Sequence, residues 1–188
     1  MVKYRDFEET YAPVTQLVSI KMFYLMAMHY GLETFNVDVS SAFLQADKLE
    51  EVWVMLPEGY LHEGKFKYCK CAKAVPGMKD SGYLWNKKLV EVLYSTGFHE
   101  SRVEPCNFYL FGDIICLLLV HVDNLMVATN DKKWFDDVIM TEWNTHFPVR
   151  QVSDTSVLGV HVERPGPEEV TMSQPHYIDK LVDKCGLT

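Results

Sequence analysis

The sequence has no apolar stretch near the roughly 20 residues a helix needs to cross a bilayer. Its longest apolar run, Ile114 to Val122, suits a buried strand instead. The amino terminus, Met1-Val2-Lys3-Tyr4-Arg5-Asp6, has no signal-peptide apolar region. Secretion and a membrane partner are therefore not expected, and an intracellular setting, cytoplasmic or nuclear, is. Cysteines are few: Cys69, Cys71, Cys106, Cys116 and Cys185 make no CxxC pair, and no histidine cluster completes a zinc site. They read as buried or incidental thiols in a reducing compartment. Basic residues are also in short supply, 18 Lys and Arg against 26 Asp and Glu, for a formal net charge of −8. Phosphate affinity rests on clustered Lys and Arg, and here they are scattered, which argues against strong autonomous binding of nucleic acid. Repeats, low-complexity segments and long linkers are absent.

What is present is 48% apolar and 13% aromatic composition over 188 residues, ample for one well-packed domain and thin for two. Thr15 to Tyr30 carries Leu17, Ile20, Tyr24 and Ala27 at helical spacing and stops at Gly31, a natural left-handed cap. Strands are expected at Thr34–Val39, at Glu51–Leu56 ending on Pro57-Glu58-Gly59, and at Lys65–Cys71. A second helix spans Ser81–Thr96, with Trp85, Leu89 and Val92 or Leu93 on its stripe and Gly97 closing it. Phe108–Phe111 and Ile114–Val122 flank Gly112-Asp113, a good two-residue hairpin turn. Leu125–Ala128 is the next strand, which places Asp123-Asn124 at a second tight turn. Asp131–His146 is helical, Val157–Glu163 and Val170–Met172 form a hairpin around Pro165-Gly166-Pro167, and Ser173 caps a last helix striped by Tyr177, Ile178, Leu181 and Cys185. This order predicts an α+β fold, with two long apolar helices over one face of an antiparallel sheet and the other face left for a ligand.

Asp38 and Asp123 stand out because each ends a strand of apolar residues. A charge there is costly unless solvated, paired or bound to a cation. If the two strands are neighbours, the carboxylates meet, and a divalent cation relieves their repulsion. Mg²⁺ favours one or two carboxylates together with substrate phosphates, and two such ions activate an attacking hydroxyl and steady a departing pyrophosphate. The plainer alternative also stands: Asp-Asn is a favourable hairpin turn, and an aspartate after a strand often bonds nearby backbone.

Eight segments occur in one order: Tyr11-Ala12-Pro13-Val14, Val37-Asp38-Val39-Ser40-Ser41-Ala42-Phe43-Leu44, Pro57-Glu58-Gly59-Tyr60, Gly77-Met78-Lys79, Trp85-Asn86, His121-Val122-Asp123-Asn124, Leu158-Gly159-Val160 and Ser173-Gln174-Pro175-His176-Tyr177-Ile178. Together they resemble the reverse transcriptase of copia-type long-terminal-repeat retrotransposons, from about Phe7 to Leu187. The resemblance implies a right-hand polymerase: a palm on a ferredoxin-like antiparallel sheet, with partial fingers and a truncated thumb. Residues 1–13 and 46–80 would be fingers-like, 14–45 and 81–164 palm, and 165–188 the start of the thumb. It implies RNA-directed DNA polymerase activity by two-metal nucleotidyl transfer, with Mg²⁺ or Mn²⁺ on Asp38 and Asp123. Partners would be an RNA or DNA template-primer and deoxynucleotides. Phe43, five residues beyond Asp38, matches the bulky residue that excludes a ribose 2′-hydroxyl, although packing beside Ala42 and Leu44 explains it equally. Gly77 and Lys79 match the segment near the incoming nucleotide and template, while a lone lysine is ordinarily just solvated. Leu158 and Gly159 match the primer-positioning hairpin.

Three departures bear on activity. The usual tyrosine–any–aspartate–aspartate tip is His121-Val122-Asp123-Asn124, so Asn124 is a degenerate catalytic position that keeps an acceptor oxygen and loses a charge. His121 replaces a tyrosine beside primer and nucleotide. Asp80 stands where the family has glutamine, and aspartate repels phosphate; Tyr83 stands where an arginine would bind it. The family's basic leading strand would precede Tyr4 and its thumb would continue past Thr188, so the expectation is a piece of a longer polyprotein that supplies the missing fingers and thumb. A non-catalytic remnant or repurposed palm, binding nucleic acid or protein, is the alternative function.

Overall fold

The computed structural model describes residues 9–48, 51–57, 59–60, 67–153, 156–166 and 168–186. Glu58, Lys65, Phe66 and Pro167, each named in an expected strand or turn, lie outside the described residues, as do the first eight residues of the fingers-like segment. Helix α1 (Leu17–His29) is followed by strand β1 (Glu33–Val39), the short helix α2 (Ala42–Gln45), and strands β2 (Trp53–Met55) and β3 (Tyr68–Lys70). Helix α3 (Ser81–Ser95) leads into β4 (His99–Glu100), β5 (Asn107–Leu110), β6 (Cys116–His121) and β7 (Asn124–Thr129). Next come α4 (Lys132–Trp134), a π-helical segment (Phe135–Met140) and α5 (Thr141–His146), then β8 (Val149–Val152), β9 (His161–Gly166), β10 (Glu169–Ser173) and α6 (Pro175–Cys185). Helices and antiparallel sheet are mixed, the α+β class that the element order predicts.

The chain forms two compact units, Met1–Pro13 with Ser41–Leu93 and Val14–Ser40 with Tyr94–Thr188. In the first, β2 and β3 pair antiparallel, Trp53 opposite Lys70 and Met55 opposite Tyr68. Bonds from Lys48 N–H to Ala72 C=O (3.0 Å) and Ala74 N–H to Ala46 C=O (2.9 Å) continue that pairing. Helix α3 buries Trp85, Leu89, Val92 and Leu93, the stripe expected from spacing.

The second unit is built on a six-stranded sheet of order β4-β5-β6-β7-β1-β8, antiparallel throughout. α1 lays Ile20, Phe23, Tyr24 and Ala27 on Leu117, Leu119, Met126 and Ala128. On the opposite face Phe135 meets Phe35 edge-on at 5.2 Å and Trp143 meets Phe135 at 5.5 Å. The expectation of an uncovered ligand face is therefore corrected. β6 and β7 are apolar at nearly every position, not at alternate ones, because both of their faces are buried.

Several boundaries also move. The β5–β6 connection is the five-residue loop Phe111–Ile115, since Leu110 pairs with Cys116. Asn130 holds it open, accepting from Ile115 N–H at 2.9 Å and donating to Asp113 C=O at 3.2 Å. Asn124 is not in the turn but in β7, opposite His121, so the two-residue turn is Val122-Asp123. Val157 and Val160 exchange backbone bonds of 2.9 Å around Leu158-Gly159, both with positive φ, and β9 starts only at His161. Gln174, not Ser173, precedes α6, whose first turn carries Pro175. Tyr177, Ile178 and Leu181 are exposed on α6. No helix among the described residues is long and apolar enough to cross a membrane.

Candidate functional site

β1 lies between β7 and β8, and its register places Asp38 opposite Asn124 on one side and Arg150 on the other. Asn124 in turn lies opposite His121 of β6. Directly opposed residues project from the same face of a sheet, with strands about 4.8 Å apart. His121, Asn124, Asp38 and Arg150 therefore form one polar row across four strands. The next row, Leu119, Met126, Asn36 and Val152, is mostly apolar and belongs to the layer under α1.

Each member of the row has a distinct electrostatic situation. Asp38 is partly shielded, with 27% of its side chain exposed, and its Oδ2 accepts from Arg150 Nε at 3.1 Å. The Arg150 side chain is 70% exposed. Asn124 Oδ1 and His121 Nδ1 are buried and have no hydrogen-bond partner. A buried polar atom without a partner is costly, and a water, an ion or a ligand group satisfies it. Asp123 is exposed at the hairpin tip, while its carbonyl accepts from Val39 N–H at 2.8 Å. That bond pins the tip to β1 next to Asp38. Val122 takes φ of +56°, a conformation β-branched residues seldom adopt, to make the turn.

The donor set is one a hard divalent cation accepts: the carboxylates of Asp38 and Asp123 and the amide oxygen of Asn124. Among the described residues no three His, Cys, Asp or Glu side chains form a cage. A cation that relies on one or two carboxylates and on substrate phosphates needs none. Leu158 and Gly159, the residues matched to primer positioning, are exposed at their tight turn in the same unit.

The other predicted site residues lie in the first unit. Phe43 is half-buried on α2, Gly77 has φ of +95°, and Lys79 is exposed. Asp80 is 2% exposed, and its Oδ2 accepts from Lys48 Nζ at 2.6 Å. The phosphate repulsion expected of Asp80 thus has no exposed carboxylate behind it, because a buried lysine neutralises the charge locally.

Sequence reasoning did not single out Arg150. Its partner is 112 residues away, and β8 is short and polar, so only the pairing of β8 with β1 brings the guanidinium to Asp38.

The family model described as reverse transcriptase (RNA-dependent DNA polymerase) matches residues 2–188. The chain belongs to the reverse transcriptase family. It is a copia-type retrotransposon domain by its relatives. It is 26% identical to the retrovirus-related Pol polyprotein from transposon TNT 1-94 of Nicotiana tabacum, over 97% of this chain and 14% of the polyprotein. Identity to the Pol polyprotein from transposon RE1 of Arabidopsis thaliana is 28%, over 97% of this chain and 12% of that protein. The putative transposon Ty5-1 protein of Saccharomyces cerevisiae is 27% identical over 79% of this chain and 49% of its own length. The chain thus spans only 14% and 12% of the length of these two plant polyproteins.

Proposed function

We propose that this domain is the nucleotidyl-transfer centre of an RNA-directed DNA polymerase, with Asp38 and Asp123 holding Mg²⁺ or Mn²⁺. The single observation that carries the reading is the pairing of β1 with β7, which gathers Asp38, Asp123 and Asn124 at one sheet end. The bound ions would activate a primer 3′-hydroxyl and stabilise the charge that develops on the phosphates. Asp38 and Asp123 supply the negative oxygens, and Asn124 offers a neutral one. Phe43 would exclude the ribose 2′-hydroxyl, Gly77 and Lys79 would lie along the incoming deoxynucleotide, and Leu158 and Gly159 would position the primer of an RNA or DNA template-primer. The strand order β6-β7-β1-β8 and the helices between those strands support a ferredoxin-like palm at 14–45 and 81–164. Fingers at 1–13 and 46–80 and the start of a thumb at 165–188 complete this reading, and the five free cysteines fit an intracellular setting.

Primer extension on poly-rA/oligo-dT with Mg²⁺ tests it. Extension by the folded domain, lost in Asp38→Asn, is expected. No extension from pure folded protein, with none restored by Asn124→Asp, overturns it.

One observation favours a second reading, a non-catalytic palm that binds nucleic acid or protein: the Asp38 carboxylate is already neutralised by Arg150, beside an uncharged Asn124. Salt-dependent binding to an RNA–DNA duplex without extension is its expected signature.

A further inference from the structure

The polar row carries a charge balance that the metal reading alone does not explain. Across His121, Asn124, Asp38 and Arg150, the Asp38 carboxylate and the Arg150 guanidinium are cross-strand partners joined by an ion pair. A site meant to attract a free dication gains from uncompensated negative charge. Here the one carboxylate in the row is neutralised by the neighbouring strand.

The pairing is built into the backbone. Val39 opposite Val149, and Ser40 N–H bonded to Pro148 C=O at 3.0 Å, lock β8 against the end of β1. Residues opposed in this way keep their Cβ atoms about 5 Å apart, so an arginine at 150 has Asp38 within easy reach. Lys132 belongs to the other face of the sheet and is engaged there: its Nζ donates to Asp136 at 2.6 Å and to Gln151 at 3.1 Å, and sits 4.9 Å from the Phe35 ring centroid. Among the described residues, Arg150 is the cation paired with Asp38. Its contact is a single Nε bond from a side chain that is mostly in water, so it is readily exchanged.

Resting on the metal-binding reading of Asp38, we infer that Arg150 is the resident counter-cation of this carboxylate and competes with a divalent ion for it. A guanidinium and a metal ion cannot share the same carboxylate oxygen without repulsion. Metal entry therefore displaces Arg150 into solvent, and Arg150 sets the threshold of metal concentration at which Asp38 is occupied. The role is that of a positioning residue, since it acts through Asp38.

The test is Mn²⁺ binding to the folded domain, followed by the electron paramagnetic resonance signal of the free ion, with no nucleotide or primer present. Arg150 is exposed, so Arg150→Gln leaves the sheet intact. It is expected to tighten Mn²⁺ binding about fivefold, the scale of an exposed ion pair. Arg150→Lys, which keeps the charge, is expected to stay close to the parent. Lys184→Gln, which removes the same charge from helix α6, is expected to leave affinity unchanged. Asp38→Asn is expected to abolish binding with either residue at 150. If Arg150→Gln binds no more tightly than the parent or than Lys184→Gln while Asp38→Asn still abolishes binding, the competition is overturned and the metal reading stands. If Asp38→Asn changes nothing, or no variant binds Mn²⁺, both fall together.

Discussion

Asp38 of β1 and Asn124 of β7 face each other directly at the end of the central ladder, so the residue at 124 decides how much charge Asp38 must tolerate. An aspartate there would place like charges on opposed residues, an arrangement that destabilises a sheet by about 0.2–1 kcal/mol. A cation that both carboxylates share would reverse the penalty. Asn124→Asp is therefore expected to melt a few degrees lower than the parent in EDTA and to recover in millimolar Mg²⁺ or Mn²⁺. Equal melting in both conditions would count against a shared ion at this pair.

A different carboxylate, Asp80, is held by structure and not by solvent. Its pair with Lys48 is buried on both sides, and Asp80 Oδ1 has no partner. Removing one member strands a charge, so Lys48→Met alone is expected to cost about 3–5 kcal/mol. Replacing both, as Lys48→Met with Asp80→Leu, is expected to recover most of that loss, because desolvation of the pair is removed along with its attraction. Urea unfolding of the single and double variants measures the difference.

Periodicity was enough to locate α1, α3, β1, β6 and β7, and with them the strand ends that carry Asp38 and Asp123. The long apolar stretch through Cys116–His121 also held the information that both sheet faces are covered, though a run of that kind does not say by what. Pairings between distant segments left no local trace: Arg150 with Asp38, and Lys48 with Asp80 across 32 residues. The tip was misread by one residue because Asn tolerates positive φ far better than Val, yet Val122 adopts it and Asn124 is extended. β8, only four residues with an exposed Arg150-Gln151 centre, gave no alternation to read.

Burial makes the domain sensitive to alkali. Burial pushes the Cys116 thiol up to about 12, against a weaker opposing hydrogen bond with Thr129. It likewise pushes Cys106 up to about 11 and Tyr24 up to about 12, from ordinary values of 9.0 and 10.0. A raised folded value means that the native state keeps its proton where the unfolded chain has lost it. The contribution to stability is then full below pH 9 and is lost as pH rises through the folded values. Melting temperature is expected to hold from pH 7 to about 8.5 and fall steadily above 9. Cys116→Ala is expected to start lower, having lost packing, yet to decline with a shallower slope; an unchanged slope would refute the assignment to this thiol.

Val122 provides a direct test of strain at the tip. Of the two turn residues, Val122 has φ of +56° and Asp123 is not in the positive region, the pattern of a turn whose first central position is ordinarily glycine. A β-branched side chain in that region carries a penalty of roughly 1–2 kcal/mol. Glycine removes the strain but returns some of the gain through the greater freedom of the unfolded chain. Val122→Gly is thus expected to raise stability by about 0.5–1 kcal/mol in urea unfolding. The same change loosens the backbone that pins Asp123 beside β1, so amide exchange at Val39, whose N–H bonds the Asp123 carbonyl, is expected to quicken while global stability rises. A strained valine would then trade stability for a fixed carboxylate. Faster exchange without a gain in stability would mean that the Val122 backbone is not strained.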